Sequence, residues 1–154
     1  MTNSPSPRYL EDFHVGQRFT TAKHTVDAAQ IVKFATEFDP QPFHLDDSAG
    51  KATLFGGLVA SGWHTAAIAM RLMLEGELKI AGGAIGGGGD LKWTKPVRPG
   101  DTLQVHSEVL EISPSRTHPT RGSILVHSET RDQLGEVVQS FTARMVVLRR
   151  PTAT

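Results

Sequence analysis

Hydrophobic residues recur with a helical period in the N-terminal third of the chain. Four of them fall at positions i, i+3, i+4 and i+7: Ile31, Phe34, Ala35 and Phe38. This spacing puts them on one face of a helix. Asp27 precedes the segment and can accept a hydrogen bond from a free amide as the N-cap, and Pro40 and Pro42 forbid continuation of the helix. The pattern predicts a helix over residues 27 to 38.

A second helical segment is predicted over residues 57 to 75. The stretch reads GLVASGWHTAAIAMRLMLE, and its first charged residue is Arg71. Because hydrophobic and small residues surround almost its whole circumference, we expect a buried helix of roughly 19 residues.

Beyond this helix the residues alternate as they do in strands. Strands are predicted at residues 91 to 97, 101 to 112, 122 to 130 and 136 to 148, with a shorter one near 17 to 26. Turn signals at Pro99-Gly100 and at Asp132 to Gly135 separate them. The elements predict an α+β fold in which a mostly antiparallel sheet of about five strands wraps one buried helix.

Length and composition indicate a single domain. A chain of 154 residues buries one core but not two. We expect one domain over residues 9 to 150, with flexible tails at 1 to 8 and 151 to 154, where proline and small polar residues dominate.

Charge and composition argue against several classes of partner. The formal net charge is zero, and no basic tract is longer than Arg149-Arg150, which disfavours nucleic acid and anionic membranes. The chain has no cysteine, so disulfides and thiolate sites are excluded. No hydrophobic run approaches the ~20 residues of a membrane span, and the N-terminal stretch lacks the hydrophobic region of a signal peptide. We therefore expect a soluble, cytoplasmic protein.

The stretch FDPQPFHLD places an acid and a histidine five residues apart across two prolines, whose fixed φ angles partly determine the geometry between Asp39 and His44. A rigid Asp/His pair is a general acid/base device. Asp39 ends a helix, where the negative end of the macrodipole should disfavour its charged form and make it a better proton acceptor. The alternative is a solvated helix end followed by an ordinary loop histidine.

The stretch FGGLVASG offers a candidate oxyanion site. Glycines before and inside a helix start allow close approach to amide groups that the helix leaves unsatisfied. Gly62 is the position of greatest interest, because glycine in a helix costs about 1 kcal/mol relative to alanine. The alternative is tight packing of the helix on the sheet.

Two other chemistries are disfavoured by the motifs. Ser61 and His64 lack the G-x-S-x-G pattern of a nucleophile elbow, because residue 59 is valine. A metal site from His44, Asp46, Asp47 and His64 rests only on a weak loop pattern, and H-E-x-x-H is absent.

The glycine run at residues 86 to 89 precedes a strand and not a helix, so it is not a phosphate-binding loop. It favours a flexible loop, with a glycine-lined channel for a flat or extended ligand as the alternative.

Three stretches together resemble the MaoC-like dehydratases, relatives of the (R)-specific enoyl-CoA hydratases with the hot-dog fold. They are DPQPFH at residues 39 to 44, FGGLVASGWHTAAIA at 55 to 69 and LKWTKPVRPGDTL at 91 to 103. The family motif reads Asp, any residue, Asn, Pro, any residue, His. Asp39, Pro42 and His44 match it, and Gln41 stands where the family most often has asparagine.

The resemblance implies a fold and a reaction. The sheet would curl round the long helix, and Asp39 and His44 would activate one water that adds across the C2=C3 bond of a trans-2-enoyl thioester. The thioester carbonyl would be held by a backbone N–H at Gly62, with Ser61, Gln41 and Gly57 completing the substrate-binding side. No metal or redox cofactor is implied, and coenzyme A would enter as part of the acyl-CoA substrate. Family members are commonly homodimers.

Two alternatives remain open at this stage. One is an acyl-CoA thioesterase, because hot-dog proteins of that kind direct water at the carbonyl carbon. The other is a non-catalytic subunit that binds acyl thioesters, a reading favoured by Gln41 and Ser61.

Overall fold

A computed structural model describes residues 6–152 of the chain. A short 3-10 turn lies at Leu10–Asp12, before the first strand. Four helices lie between the first and second strands: α1 (Ala28–Phe38), α2 (Pro42–Leu45), α3 (Asp47–Lys51) and α4 (Gly62–Glu75). Five strands form one sheet: β1 (Arg18–Thr25), β2 (Ile85–Trp93), β3 (Thr102–Pro114), β4 (Arg121–Arg131) and β5 (Val137–Leu148).

All neighbouring strands of the sheet run antiparallel, in the order β1-β3-β4-β5-β2. The long strands β3, β4 and β5 form the middle, and β1 and β2 are the edges. The α+β architecture predicted from the hydrophobic pattern is confirmed, with five strands and their antiparallel arrangement.

The main core lies between α4 and the inner face of the sheet. Alternate residues of β3, β4 and β5 point inward, as the period of two requires. The cluster combines Leu72 and Met73 of α4 with Val105, Ile124 and Val147 of the sheet. The sheet therefore packs around α4, which carries most of the helical contribution to the core.

A second hydrophobic cluster holds α1 and the segment before α4 against β3. It joins Val26 and Ile31 to Leu58, Val97 and Leu103. Ile31 lies in α1, Leu58 before α4 and Leu103 in β3, while Val26 and Val97 follow β1 and β2, so the cluster packs these parts together. The candidate site described below lies there.

The boundaries of the helices confirm one prediction and correct another. Asp27 caps α1 by accepting a hydrogen bond from the Gln30 amide, as predicted. The helix predicted over residues 57 to 75 begins only at Gly62, because the preceding residues are extended and their amides bond elsewhere. The Val59 and Ala60 amides donate to the carbonyls of Phe43 and Val97.

The prediction that α4 is buried all round is wrong for the single chain. Trp63, Met70 and Leu74 are between 41% and 60% exposed, while Leu72 and Met73 on the other face are buried. The chain also contains the two short helices α2 and α3, which the sequence pattern did not predict.

The flexible loop favoured at residues 86 to 89 is also wrong. The glycines lie inside β2, paired with β5, and the register shifts between Gly86 and Gly88. Gly88 has a φ of 121°, which glycine adopts without strain. A Cβ on Gly89 would meet the Phe141 ring at 2.6 Å, so the close approach of β2 to β5 requires glycine there.

The predicted tails at residues 1 to 8 and 151 to 154 lie largely outside the described residues. Arg8 is described, and its amide donates to the carbonyl of Lys79 at 2.7 Å. Within residues 6–152, no helix is both long and hydrophobic enough to cross a bilayer.

The buried end of β3 gives a test of the core. Leu103 is fully buried in the second cluster, whereas Leu134 is 72% exposed in the turn before β5. Leu103→Ala should lower the free energy of unfolding by about 2 to 5 kcal/mol, and Leu134→Ala by less than about 0.5 kcal/mol. Urea denaturation of both variants measures the difference, and equal values would contradict the packing described.

Candidate active site

Asp39 is placed by the end of α1. Its own amide closes the last helical turn by donating to the Ala35 carbonyl at 2.9 Å, and the residue then leaves the helical conformation. The hydrophobic face of α1 is anchored by Ile31 and Ala35, which are fully buried. The carboxylate is therefore fixed at the edge of the second cluster.

His44 is placed by the one-turn helix α2. Pro42 occupies the start of that helix, where its missing N–H leaves no amide unsatisfied. The imidazole is buried, and its Nδ1 lies 2.7 Å from the Val59 carbonyl oxygen. A carbonyl can only accept, so Nδ1 carries the proton, and in the neutral ring Nε2 carries the lone pair.

The two side chains form a pair. His44 Nε2 lies 3.3 Å from Asp39 Oδ2. The side chains are 8% and 18% exposed, so the pair sits at the boundary between core and solvent. A carboxylate oxygen and a nitrogen lone pair this close can both accept hydrogen bonds from one water that lies beside them and donates one hydrogen to each.

Two further side chains hold the Asp39 carboxylate. Ser61 Oγ donates to Oδ2 at 2.6 Å, and Gln41 Nε2 donates to Oδ1 at 2.5 Å. The Ser61 hydrogen bond, opposed by burial and assisted by Gln41 and His44, lowers the pKa of Asp39 below its usual range. The prediction that the helix end would disfavour the charged form of Asp39 is thus wrong in direction. Hydrogen bonds from Ser61 and Gln41 stabilise that charged form and lower its pKa.

Ser61→Ala should raise the pKa of Asp39, since it removes the largest cause of the shift. Carbon-13 NMR titration of the Asp carboxyls measures it. A lowered pKa contributes stability that is present above the unfolded value near 3.9 and is lost as pH falls through the folded value. The variant should therefore begin to lose stability at higher pH during acid unfolding. Ser48→Ala, at an exposed position of α3, is the matched control, and identical titrations would contradict this role.

Gly62 begins α4 beside this pair. Ser61 is the N-cap, and its Oγ accepts from the Trp63 amide at 3.3 Å. Among the hydrogen bonds of residues 6–152, none uses the Gly62 amide as donor. This free N–H at a helix N-terminus is the donor type that an oxyanion requires.

The glycine at this position also has a packing reason. A Cβ on Gly62 would come within 3 Å of several atoms of the Trp93 indole. Trp93 is itself fixed by the hydrogen bond from its Nε1 to Gln139 Oε1 at 3.0 Å. Gly62 thus has structural support both as an oxyanion donor and as a packing position. Its amide is free at the helix start, and the Trp93 indole occupies the space that a side chain would need.

His44, Gly62 and Trp93 line a cleft of about 360 Å³. Its walls include Phe43, His44, Gly62, Thr65, Trp93 and Val97. Lys95 also borders it, but Lys95 Nζ bonds to the buried Asp132 at 2.6 Å and to Glu136, and the pKa of Lys95 is raised chiefly by the Asp132 bond. The cleft therefore combines a hydrophobic surface with the His44 imidazole and the free Gly62 amide, and Asp39 lies behind it within 3.3 Å of His44 Nε2.

Gly57 lies apart from the pair. A Cβ there would meet Asp47 Oδ1 at 3.1 Å, and its carbonyl packs closely on Gly50 of α3. Its contacts serve the packing of the segment before α4 against α3. Of the predicted site residues, the structure brings together Asp39, Gln41, His44, Ser61 and Gly62.

The groups of the two disfavoured chemistries are engaged elsewhere. The Ser61 hydroxyl donates to Asp39, while the His64 ring stacks on Phe34 with centroids 4.8 Å apart. Burial is the main cause that lowers the pKa of His64. Asp46 caps α3 through the Ala49 amide. Asp47 accepts from the Leu58 amide.

Sequence reasoning missed two partners of the site. The Val59 carbonyl fixes the His44 tautomer, and the Trp93 indole covers Gly62. No local sequence pattern predicts either contact. Val59 is 15 positions from His44 and Trp93 is 31 positions from Gly62, so only tertiary packing brings them to the site.

Comparison with known proteins identifies the same architecture elsewhere. The MaoC-like dehydratase of Rhodospirillum rubrum, a solved structure, superposes with a TM-score of 0.91 and 55% sequence identity, over 94% of this chain and 99% of that one. The Bacillus subtilis protein YdeM is 38% identical over 143 residues, which are 90% of this chain and 96% of that protein.

A relative of named activity also matches. The 3-hydroxybutyryl-CoA dehydratase of Methylorubrum extorquens is 32% identical over 109 residues, covering 70% of this chain and 68% of that enzyme. The family model described as "MaoC like domain" matches residues 12–129, which include the whole Asp39 to Gly62 region. With its five-stranded hot-dog sheet packed around α4 and this match over most of its length, the chain belongs to the MaoC-like dehydratase family.

Proposed function

We propose that this protein is a hydro-lyase that reversibly adds water to a trans-2-enoyl thioester, giving a 3-hydroxyacyl thioester. The observation that carries the proposal is the buried pair itself. His44 has its Nδ1 proton committed to the Val59 carbonyl and its Nε2 3.3 Å from Asp39, within the same cleft as the free Gly62 amide. The related dehydratase from Methylorubrum extorquens supports the same reaction class.

The pair suits the activation of one water. The hydrogen bonds that lower the pKa of Asp39 favour its charged form, and His44, with its Nδ1 proton bonded to Val59, has Nε2 facing Asp39. With a lone pair on Nε2, a water beside the pair donates one hydrogen to each acceptor, which directs its oxygen lone pair toward the substrate. In hydration, the water oxygen bonds to C3 as one of its O–H bonds breaks, the pair accepts that proton, and the pair then delivers one proton to C2, so that it ends in its starting state. Dehydration reverses these steps.

The Gly62 amide suits the charge that develops during the reaction. Attack at C3 moves electron density from the double bond to the thioester carbonyl oxygen, which becomes enolate-like. A preorganised N–H at a helix start stabilises such an oxyanion. The hydrophobic walls of the cleft, including Phe43 and Val97, would limit the access of competing water.

The substrate and setting are part of the same proposal. The acyl group would be carried by coenzyme A or a carrier protein, with coenzyme A as part of the substrate and no metal or redox cofactor. The chemistry needs only a proton acceptor, a proton donor and an oxyanion donor, which these residues supply. We also propose that the protein acts in the cytoplasm.

The test is an assay of the purified protein with a panel of trans-2-enoyl-CoA thioesters. Loss of the conjugated thioester absorbance without release of free thiol is the expected result. Release of thiol would instead establish the thioesterase alternative. Binding of the esters without any change in absorbance or thiol would establish the non-catalytic alternative and overturn the proposal.

A homodimer is the second part of the proposal. Strand β2 pairs only with β5 among the described strands, so its other edge is unpaired. Ile85 on this strand is 56% exposed. An unpaired strand edge that carries an exposed hydrophobic side chain favours association with a second chain. Light scattering after size-exclusion chromatography should give twice the chain mass, and a monomer at micromolar concentration would contradict it.

A further inference from the structure

A second cavity lies beside the Asp39–His44 cleft, between α4 and the strands β2 and β5. Its volume is about 350 Å³. Hydrophobic side chains form most of its walls: Met70, Met73, Leu74, Leu91, Phe141 and Met145. Among the described residues that line it, polar side-chain groups come only from Ser128 and the Trp63 indole N–H, and the Ser128 hydroxyl is already bonded to Ser107 at 2.8 Å. The cavity is thus suited to a hydrocarbon.

Glycines of β2 border this space. Gly86, Gly88 and Gly89 line the cavity, and a Cβ on Gly86 or Gly88 would meet no atom within 4 Å. The glycine-lined channel considered for this run therefore has a counterpart in the structure, although it is formed by a strand and not by a loop.

Two tryptophans separate this cavity from the cleft. Trp93 borders the cleft together with His44 and Gly62, and Trp63 borders the hydrophobic cavity. Their rings meet edge to face, with centroids 5.1 Å apart and an interplanar angle of 83°. Trp93 is anchored by Gln139, whereas the Trp63 ring is 60% exposed. The two indoles form a wall between the reacting groups and the hydrophobic space.

We propose that this Trp63–Trp93 wall determines acyl chain length, keeping the tail of a thioester out of the hydrophobic cavity and restricting the protein to short acyl groups. The inference rests on the proposed hydratase function. A thioester whose carbonyl oxygen accepts from Gly62 lies against Trp93, because that indole packs on the glycine. A short acyl group fits within the cleft, and a longer one meets the indoles before it can reach the cavity.

The test compares kcat/KM for the four-carbon, six-carbon and ten-carbon trans-2-enoyl-CoA esters in the wild type and in Trp63→Ala. Wild type should prefer the four-carbon ester. Trp63→Ala should raise the ratio of ten-carbon to four-carbon kcat/KM by at least tenfold, since each methylene group newly buried in the cavity is worth about fourfold. Trp63 is the position to change, because Trp93 also packs on Gly62.

A second variant tests whether the cavity receives the chain. Ala84 borders the cavity but not the cleft, and it is only partly buried. Adding Ala84→Leu to Trp63→Ala should fill the cavity and return the ratio toward the wild-type value, with four-carbon activity unchanged. Size-exclusion chromatography of each variant separates a change of chain selectivity from a change of assembly.

The outcomes distinguish the inference from the proposed function. Turnover of the four-carbon ester with a ratio that Trp63→Ala leaves unchanged would overturn the wall and keep the hydratase. A wild type that already takes the ten-carbon ester as well as the four-carbon one would overturn it equally. Absence of turnover on every ester would contradict the hydratase itself and the inference with it.

Discussion

Replacing Asp39 by asparagine is expected to lower kcat/KM for trans-2-butenoyl-CoA hydration by about 10² to 10⁴-fold. The amide keeps the size of the carboxylate, so the cleft should keep its shape. Its oxygen can still accept from Gln41, and the Ser61 hydroxyl can rotate to accept from the new NH₂ group. The variant therefore removes the negative charge and the proton acceptor while leaving the packing in place.

Asp27→Asn is the matched control for this change. Asp27 lies at the other end of α1, and asparagine caps a helix as well as aspartate. The control should keep wild-type kcat/KM and thermal stability. Equal activity of Asp39→Asn and Asp27→Asn would remove Asp39 from the reaction.

Replacing His44 by glutamine is expected to lower kcat/KM by a similar factor, about 10² to 10⁴-fold. The glutamine amide can donate to the Val59 carbonyl, so the buried acceptor need not lose its partner. It offers no basic nitrogen to water. His118→Gln, at an exposed loop position, is the control and should be fully active.

The double variant tests whether Asp39 and His44 act on the same water. Residues that act as a unit are strongly non-additive, so Asp39→Asn/His44→Gln should be little slower than the slower single variant. Multiplied losses would show that the two groups serve separate steps. Initial rates from the thioester absorbance, with enzyme in excess where necessary, measure all three variants.

The sequence predicted the fold correctly wherever a local pattern of hydrophobic residues reflects burial in the folded chain. The alternation in β3, β4 and β5 reflects burial of one face of a sheet, so it gives both the element and its orientation. The helical spacing of Ile31 and Ala35 likewise gave α1 and its buried face. The prediction of a flexible loop at residues 86 to 89 was wrong because glycine is typical both of flexible loops and of strands that pack closely together.

The boundary of α4 shows where local pattern fails. Residues 57 to 61 are as hydrophobic as the helix that follows, and a period of 3.6 does not exclude them. Within this segment, the Val59 and Ala60 amides donate to the carbonyls of Phe43 and Val97. Those long-range bonds keep the segment extended, and they decide where Gly62 presents its free N–H.

The sequence by itself determined the candidate acid/base pair. Asp39 and His44 are separated by four residues that include two prolines, and this spacing is a covalent property of the chain. It also determined the family resemblance and the sheet, because both are written in local motifs and periodicity.

Only the tertiary structure decided the pKa of Asp39 and the tautomer of His44. The lowered pKa of Asp39 comes first from Ser61, which is 22 residues away, and the tautomer of His44 comes from Val59. It likewise decided the indole wall between cleft and cavity. Hydrogen bonds and packing between distant residues depend on where the folded backbone brings them, and no local pattern of residue types encodes those distances.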